Sequence, residues 1–307
     1  MATIKNVKRN TTRKPSVSLI GPGRLGIALA LALESTGYKI VSLVGRSRQK
    51  LRKTAQLLDA SCQRLVAKEL EKGRVGDLII VSVPDDQIVS VAEDLGRIKA
   101  NGHPTVLHTS GALSSKVFAS LAADGWHTGS IHPLASVSDP ASGVEALRRA
   151  YWCIEGDAKA TRLARRIVRD LGARAFSIDA KDKPVYHAAA VMSSGNVVSV
   201  FDVALDMLNS CGLSRREAQK ILLPLLESTA RNLSRADPKE AITGTFARGD
   251  LETVKLHLAA LSKTDLEEAL RLYRLLGQHS VKLASANLSA DVVKEILENL
   301  SPRKKDN

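Results

Sequence analysis

Five polar side chains stand in patterns that could support acid–base chemistry: Ser110, His132, Lys183, His187 and Ser194. The first two follow apolar runs in "HTSG" and "IHPL", and the other three lie in one long apolar segment. A histidine, lysine or serine beside a carbonyl can protonate its oxygen while a hydride reaches its carbon. These residues are therefore the candidate catalytic group.

The long apolar segment covers residues 183–211 and predicts one buried helix, because apolar residues occur on nearly every face. At about 100° per residue, Lys183, His187 and Ser194 fall on one face of such a helix, and Asn196 lies on the opposite face. A polar line on a buried helix is typical of a catalytic or substrate-binding face.

Each candidate also has a purely structural interpretation. Ser110 could be a turn residue, and His132 could only hold its loop in place. Lys183 could be a solvated residue of the first helical turn, while the Ser194 hydroxyl could bond its own helix backbone. The sequence leaves both interpretations open at every one of these positions.

A glycine-rich turn, "GPGRLG", follows the apolar run 16–20 directly and opens a predicted helix. This context favours a dinucleotide site: Gly21 allows the tight turn, Gly23 lets the backbone approach a pyrophosphate, and Gly26 permits close packing. The helix N-terminus offers N–H groups to the phosphates. The alternative is a glycine turn without a ligand. The predicted cofactor contacts here are Gly21, Pro22, Gly23, Arg24, Leu25 and Gly26.

The end of the second predicted strand reads "VGRSRQK", with Arg46, Ser47 and Arg48 about 20 residues after the glycines. An NAD site would carry a carboxylate there, whereas two guanidiniums favour the 2′-phosphate of NADP. Alternatively, Ser47 caps a helix and the arginines are solvated. In "VPDD", Val83 and Pro84 are further predicted cofactor contacts.

Short apolar runs alternate with helical patterns up to about residue 180, which predicts a parallel sheet covered on both faces by helices. Beyond residue 181 the pattern is entirely helical, with capping boxes at Ser214–Glu217 and Thr264–Glu267. We therefore expect an α/β Rossmann domain and then an all-α domain. The predicted parts are a basic tail (1–15), the NADP-binding domain (16–180), the helical domain (181–300) and a second basic tail (301–307). The predicted strands are 16–20, 39–44, 78–83, 105–109, 127–132, 151–155 and 174–178, and the predicted helices of the first domain are 24–36, 48–60, 86–96 and 114–123. A further helix between the last two strands is expected to be capped by Asp157 and to end at Gly172, Asp85 is most simply a helix cap, and a last helix is predicted over about 290–300.

Composition narrows the class of protein. Apolar residues make up 44% of the 307 residues and charged residues 25%, which is typical of a soluble globular chain. The two tails contribute seven of the net 13 positive charges, so no specific nucleic-acid partner is expected. Three cysteines far apart predict neither a disulfide framework nor a metal site. No run approaches the 18 or so apolar residues of a membrane span, so no membrane partner is expected, and a reducing cytoplasm fits this composition.

Six segments, in order and spacing, carry a resemblance over about residues 16–285: "GPGRLG", "VPD", "HTSG", "IHPLAS", "YHAAAVMSSGNVV" and "TGTFARGD". They resemble the Rossmann-like NADP oxidoreductases with a C-terminal helical domain of unknown function, within the 6-phosphogluconate-dehydrogenase-like folds. The resemblance implies an eight-stranded N-terminal sheet and a helical dimerisation domain, hence a homodimer. The helical segment is also similar to pyrroline-5-carboxylate reductases, and "IHP" resembles a turn of prephenate and arogenate dehydrogenases.

Two departures from these families are visible. Thr245 stands where the first family is expected to have proline, so a role for the nearby Arg248 in binding an acidic substrate is less secure. The Lys-x-x-x-Asn pair of β-hydroxyacid dehydrogenases is absent, because His187 stands four residues after Lys183. This leaves the proton donor open.

Together these observations predict an NADP(H)-dependent oxidoreductase that acts on a small, anionic keto/hydroxy or imino/amino acid. Two alternatives remain open. One is a sensor that binds NADP without turnover, and the other is an enzyme similar to prephenate or arogenate dehydrogenases.

Overall fold

The computed structural model describes residues 13–58, 61–98, 102–263 and 265–301. Most of both basic tails lies outside these residues, as does Thr264, the first residue of the second predicted capping box. The chain forms two compact units, the first ending at Met192 and the second beginning at Ser193. The division therefore falls later than residue 180, within the segment predicted to be one helix.

The first unit is built on an eight-stranded sheet in the order β3-β2-β1-β4-β5-β6-β7-β8. All neighbouring strands are parallel except β6 and β7, which are antiparallel. The strand order reverses between β1 and β4, the place where such sheets bind ligands at their carboxyl ends. The strands are β1 Ser16–Ile20, β2 Lys39–Gly45, β3 Gln63–Val66, β4 Leu78–Val81, β5 Thr105–His108, β6 His127–Pro133, β7 Tyr151–Gly156 and β8 Arg174–Phe176.

Helices cover both faces of the sheet, and two buried apolar clusters fill the space between sheet and helices. Strands buried on both sides explain the continuous apolar runs. The first-unit helices are α1 Arg24–Ser35, α2 Arg48–Ala55, α3 Ile88–Gly96, α4 Ala119–Ala123, α5 Pro140–Arg149, α6 Ala158–Asp170 and α7 Lys183–Met192. Asp157 caps α6 through the backbone N–H groups of Lys159 and Ala160, as predicted.

Two elements of the sheet domain were not predicted. The edge strand β3 has only one buried residue, Leu65, so its short sequence carries little apolar signal. Helix α5 lies after the proline-directed loop that follows His132, and its cap is Asp139. The seven predicted strands are confirmed as β1, β2 and β4–β8.

The second unit is helical, and its small core joins α12, α13 and α14. Its helices are α8 Gly195–Ser210, α9 Arg215–Leu233, α10 Pro238–Ala241, α11 Thr245–Arg248, α12 Leu251–Leu261, α13 Glu267–Ala284 and α14 Ala290–Leu300. The capping box of Ser214 and Glu217 opens α9, and α14 begins and ends where the sequence predicts.

The prediction of one buried helix over residues 183–211 is wrong. The segment contains two helices, α7 and α8, because Ser194 has φ −131° and ψ −81°, outside the helical region. Only Lys183 and Leu205 are buried, whereas Met192 and Val198 are 62% and 68% exposed. The all-round apolar pattern is typical of a buried helix, but most of these apolar side chains are exposed in the single chain.

By length and composition alone, residues 180–210 contain an 18-residue stretch that is apolar enough to cross a membrane. Only 6% of that stretch is buried within the protein. Apolar helices of water-soluble proteins meet the same criterion. By this criterion, the expectation that no run approaches the length of a membrane span is wrong.

Candidate functional site

The glycine turn joins β1 to α1 and has two glycines that the fold itself requires. Gly21 has φ +93°, and a Cβ there would approach the backbone oxygen of Ser82 closer than 3.0 Å. A Cβ at Gly26 would meet the Gly21 carbonyl equally closely. Both glycines therefore bring β1, α1 and the end of β4 together, as the sequence predicts.

Gly23 is different, because a Cβ at this position would have no protein atom within 4 Å. Its φ of −77° and ψ of −174° are open to any residue, so neither packing nor conformation requires glycine. The open space lies at the N-terminus of α1, where unpaired N–H groups favour an anion. These residues fit the pyrophosphate of a dinucleotide.

The end of β2 packs against this turn. A Cβ at Gly45 would lie 3.1 Å from the Pro22 ring, which places the following arginines beside the glycines.

Arg46 is exposed and has no carboxylate partner among the described residues. Arg48 forms an ion pair with Glu69, and Ser47 caps α2 by accepting a hydrogen bond from the Lys50 N–H at 3.4 Å. The capping alternative for Ser47 is thus confirmed.

One cleft of about 320 Å³ adjoins the glycine turn and the ends of β4, β5 and β6. It unites several of the predicted residues, including Val83, Ser110, His132 and His187. Its lining is Gly23, Arg24, Leu25, Ser82, Val83, Asp85, Thr109, Ser110, Gly111, His132, Pro133, Ala135 and His187. The strand ends thus bring together side chains from distant parts of the sequence, as expected for a parallel sheet.

His132 lies at the carboxyl end of β6 and contacts two aromatic rings of α7. Its Nδ1 atom is hydrogen-bonded to the Tyr186 hydroxyl at 2.7 Å, and its ring centroid is 5.5 Å from that of His187. Burial, assisted by the nearby His187 and Lys183, lowers the pKa of His132 to about 4. His132 is therefore a neutral imidazole at physiological pH.

Gly111 makes room for both imidazoles. A Cβ there would lie 2.8 Å from His132 Nε2 and even closer to the His187 ring. The loop after β5 therefore packs directly against both histidines, and Gly111 lies beside Nε2 of His132.

Ser110 is held in place by several hydrogen bonds. Its hydroxyl donates to Asp85 at 2.8 Å and accepts the backbone N–H groups of Ala112 and Leu113. Its own N–H donates to Nδ1 of the buried His108 at 3.2 Å. Ser110 thus has the turn role that the sequence left open while also lining the cleft. Asp85, expected to cap a helix, instead accepts this serine hydroxyl.

Lys183 is fully buried, contrary to its interpretation as a solvated first-turn residue. Its ammonium donates to the Ser110 carbonyl at 3.2 Å and to the Ser130 hydroxyl at 2.9 Å. Burial lowers the pKa of Lys183, and the nearby Cys153, Glu155 and Asp85 oppose this shift. The lysine lies behind the cleft rather than in its lining.

Ser194 does not share a helix face with Lys183 and His187, because the helix is interrupted before it and α8 begins at Gly195. Arg248, in the second unit, is paired with Asp250 at 2.6 Å. The prediction of a continuous polar face is therefore correct only for the part of the segment that belongs to α7.

Three residues of this region were missed by sequence reasoning: Tyr186, His108 and Glu69. Tyr186 and His108 stand inside the motifs "YHAAA" and "HTSG", next to residues that were selected. Burial raises the pKa of Tyr186, and burial with the nearby Lys183 lowers that of His108 to about 3, so both are neutral at pH 7. Glu69 belongs to no pattern that could have indicated it.

Comparison with known proteins supports this architecture. Residues 4–133 match the model of a Rossmann-like domain, and residues 150–280 match DUF2520, a domain of unknown function. The chain therefore combines a Rossmann-like domain with a C-terminal DUF2520 domain, which confirms the resemblance carried by its motifs. No curated protein matches the chain.

Several solved structures share the fold. TM1727 from Thermotoga maritima is 24% identical, with a TM-score of 0.69 over 88% of this chain and 99% of that chain. BF3122 from Bacteroides fragilis, provisionally named an NADP oxidoreductase, is 24% identical, with a TM-score of 0.72 over 88% and 98%. Pyrroline carboxylate reductase from Plasmodium falciparum, with NADP bound, is 14% identical, with a TM-score of 0.55 over 88% and 98%.

Proposed function

We propose that the protein is an NADP(H)-dependent oxidoreductase that transfers a hydride to or from a small keto/hydroxy or imino/amino acid. One observation carries the proposal: the glycine turn and the pair His132 and His187 line the same cleft. A phosphate cradle and polar groups that can face a carbonyl are thereby within one site, as this reaction requires.

The cofactor assignment depends on Gly23 and the arginines after β2. The open space at Gly23 fits a pyrophosphate at the N-terminus of α1, and Arg46 and Arg48 would face the 2′-phosphate. When bound, the nicotinamide would supply or accept the hydride. The NADP named for BF3122 and bound to the Plasmodium falciparum reductase supports the same choice.

In this proposal His132 is the group that polarises the substrate carbonyl or imine. We assign the Tyr186 hydroxyl as the donor to Nδ1, which would leave the imidazole proton on Nε2, the nitrogen beside Gly111. A neutral imidazole can stabilise developing negative charge on oxygen by donating a hydrogen bond. His187 is only half-buried, lines the same cleft and is the second candidate.

Lys183 acts in this scheme as a positioning residue. Its hydrogen bonds to Ser110 and Ser130 fix the loop that carries Gly111, and its positive charge helps to keep His132 neutral. Arg24 in the cleft lining gives the site a cation that suits an anionic substrate.

We also propose that the protein is a homodimer formed through α8 and α9. These helices expose Val198, Ile221 and Leu225, which are 68%, 55% and 64% exposed in the single chain. Exposed apolar groups in such number favour an interface, and a second copy covers them in the arrangement that the family resemblance implies.

Light scattering during gel filtration should accordingly give twice the mass of one chain. Val198→Lys should shift the population toward monomer, because it places a charge in the proposed interface. Val89→Lys, on an equally apolar exposed position of α3, is the control and should leave the dimer intact. A monomeric wild-type protein would contradict the assignment.

The experiment that tests the function combines cofactor binding with turnover. We expect NADPH to bind more tightly than NADH, Arg46→Ala to weaken NADPH binding about tenfold, and at least one member of a panel of keto and imino acids to drive NADPH oxidation. Tight NADPH binding with no turnover across the panel would instead favour the sensor. Equal affinity for NADH and NADPH would contradict the 2′-phosphate site.

A further inference from the structure

A carboxylate lies beside the arginines that follow β2, although the sequence there contains none. Strand β3 runs next to β2 with Val66 level with Gly45. Glu69 follows in a short 3-10 helix and uses both carboxylate oxygens: one binds the Arg48 guanidinium and the other accepts the Val66 N–H at 3.1 Å.

The two members of this ion pair are held unequally. Glu69 is anchored to the backbone of β3 and its side chain is 32% exposed, whereas that of Arg48 is 61% exposed. A ligand that competes for Arg48 must therefore draw the guanidinium away from a fixed carboxylate. Arg46, by contrast, has no carboxylate partner within the described part of the chain.

We propose that Glu69 is a specificity-determining residue, an inference that rests on the proposed NADP site. By holding the Arg48 guanidinium in an ion pair, Glu69 limits the preference for NADPH over NADH. The ribose of a dinucleotide lies at the end of the second strand, which here packs against Pro22 of the glycine turn. A 2′-phosphate at that place meets Arg46 directly and must compete with Glu69 for Arg48. NADH has no phosphate with which to compete.

The test uses the full-length protein and isothermal titration with NADPH and with NADH. Glu69→Gln removes the charge and keeps an amide oxygen that can accept the Val66 N–H. Without the carboxylate, Arg48 can turn to the phosphate, so NADPH binding should tighten about two- to fivefold, the range expected for one exposed ion pair. NADH binding should not change. The same substitution made in an Arg48→Ala background should give no gain.

Glu71→Gln is the matched control. Glu71 belongs to the same 3-10 helix and its contact is with Arg97 at 3.8 Å, so the substitution removes an equal charge without freeing Arg48. Both affinities should stay at wild-type values.

The outcomes separate the inference from the proposed function. The inference is overturned if Glu69→Gln tightens NADPH and NADH binding equally, has the same effect as Glu71→Gln or weakens NADPH binding. In each of these cases, a preference of the wild-type protein for NADPH still supports the proposed function. If the wild-type protein binds neither dinucleotide, the proposed function fails and the inference with it.

Discussion

Gly23→Val should abolish useful NADPH binding, lowering the affinity by about 100-fold or more, while the protein remains folded. The valine side chain would occupy the open space at the start of α1 where the cofactor's pyrophosphate must approach the backbone. The fold should tolerate it, because no protein atom lies within 4 Å of the new Cβ and the backbone conformation suits any residue. Replacing the N-terminal cap glycine by valine should cost about 1 kcal/mol of stability.

Gly26→Ala is the contrasting control from the same turn. Its Cβ would collide with the Gly21 carbonyl, and backbone cannot yield as a flexible side chain can. We expect the free energy of unfolding to fall by about 1–3 kcal/mol, as in other overpacked sites. Calorimetric titration and urea unfolding of both variants measure the two effects. Intact NADPH binding in Gly23→Val, with the fold preserved, would show that the space does not receive the phosphates.

His132→Asn should lower kcat by about 10²- to 10⁴-fold on whichever panel substrate proves active, the range for a lost acid–base group. NADPH affinity should be unchanged, because His132 is placed on the substrate side of the cleft. Since the pKa of His132 is about 4, its protonation should not shape the pH–rate profile between pH 5 and 8. Activity carried by the neutral imidazole should fall only as the pH drops toward 4.

Tyr186→Phe separates positioning from direct catalysis in the same reaction. Phenylalanine keeps the ring contacts with His132 and Phe176 and removes the 2.7 Å hydrogen bond to Nδ1. We expect a smaller loss of kcat, about tenfold, together with a changed tautomer of His132 in nitrogen NMR spectra. If His132→Asn is fully active and His187→Ala is not, then His187, rather than His132, contacts the reacting atoms.

The parts of the site that the sequence predicts are those encoded locally. Strand β1 and the glycine turn are adjacent in the chain, so their spacing alone predicts a turn of the dinucleotide-binding kind. The ends of β5 and β6 bring Ser110 and His132 together because carboxyl ends of parallel strands share one edge. The cap of α6 and the capping box of α9 are equally local and were predicted correctly.

The residues that the sequence could not predict owe their roles to neighbours distant in the chain. Tyr186 matters because its hydroxyl meets His132, which lies on β6. Lys183 is buried because Ser110 and Ser130 accept its ammonium hydrogens, and nothing in the local pattern distinguishes it from a solvated lysine.

The sequence by itself thus determined seven of the eight strands, the glycine turn and the arginines after β2, because periodicity, turn chemistry and capping act within a few residues. Only the tertiary structure decided that the helix is interrupted before Ser194, that Lys183 lies behind the cleft and that Glu69 occupies Arg48. The position of Lys183 and the Arg48–Glu69 pair depend on contacts between segments far apart in the chain, which no local pattern encodes.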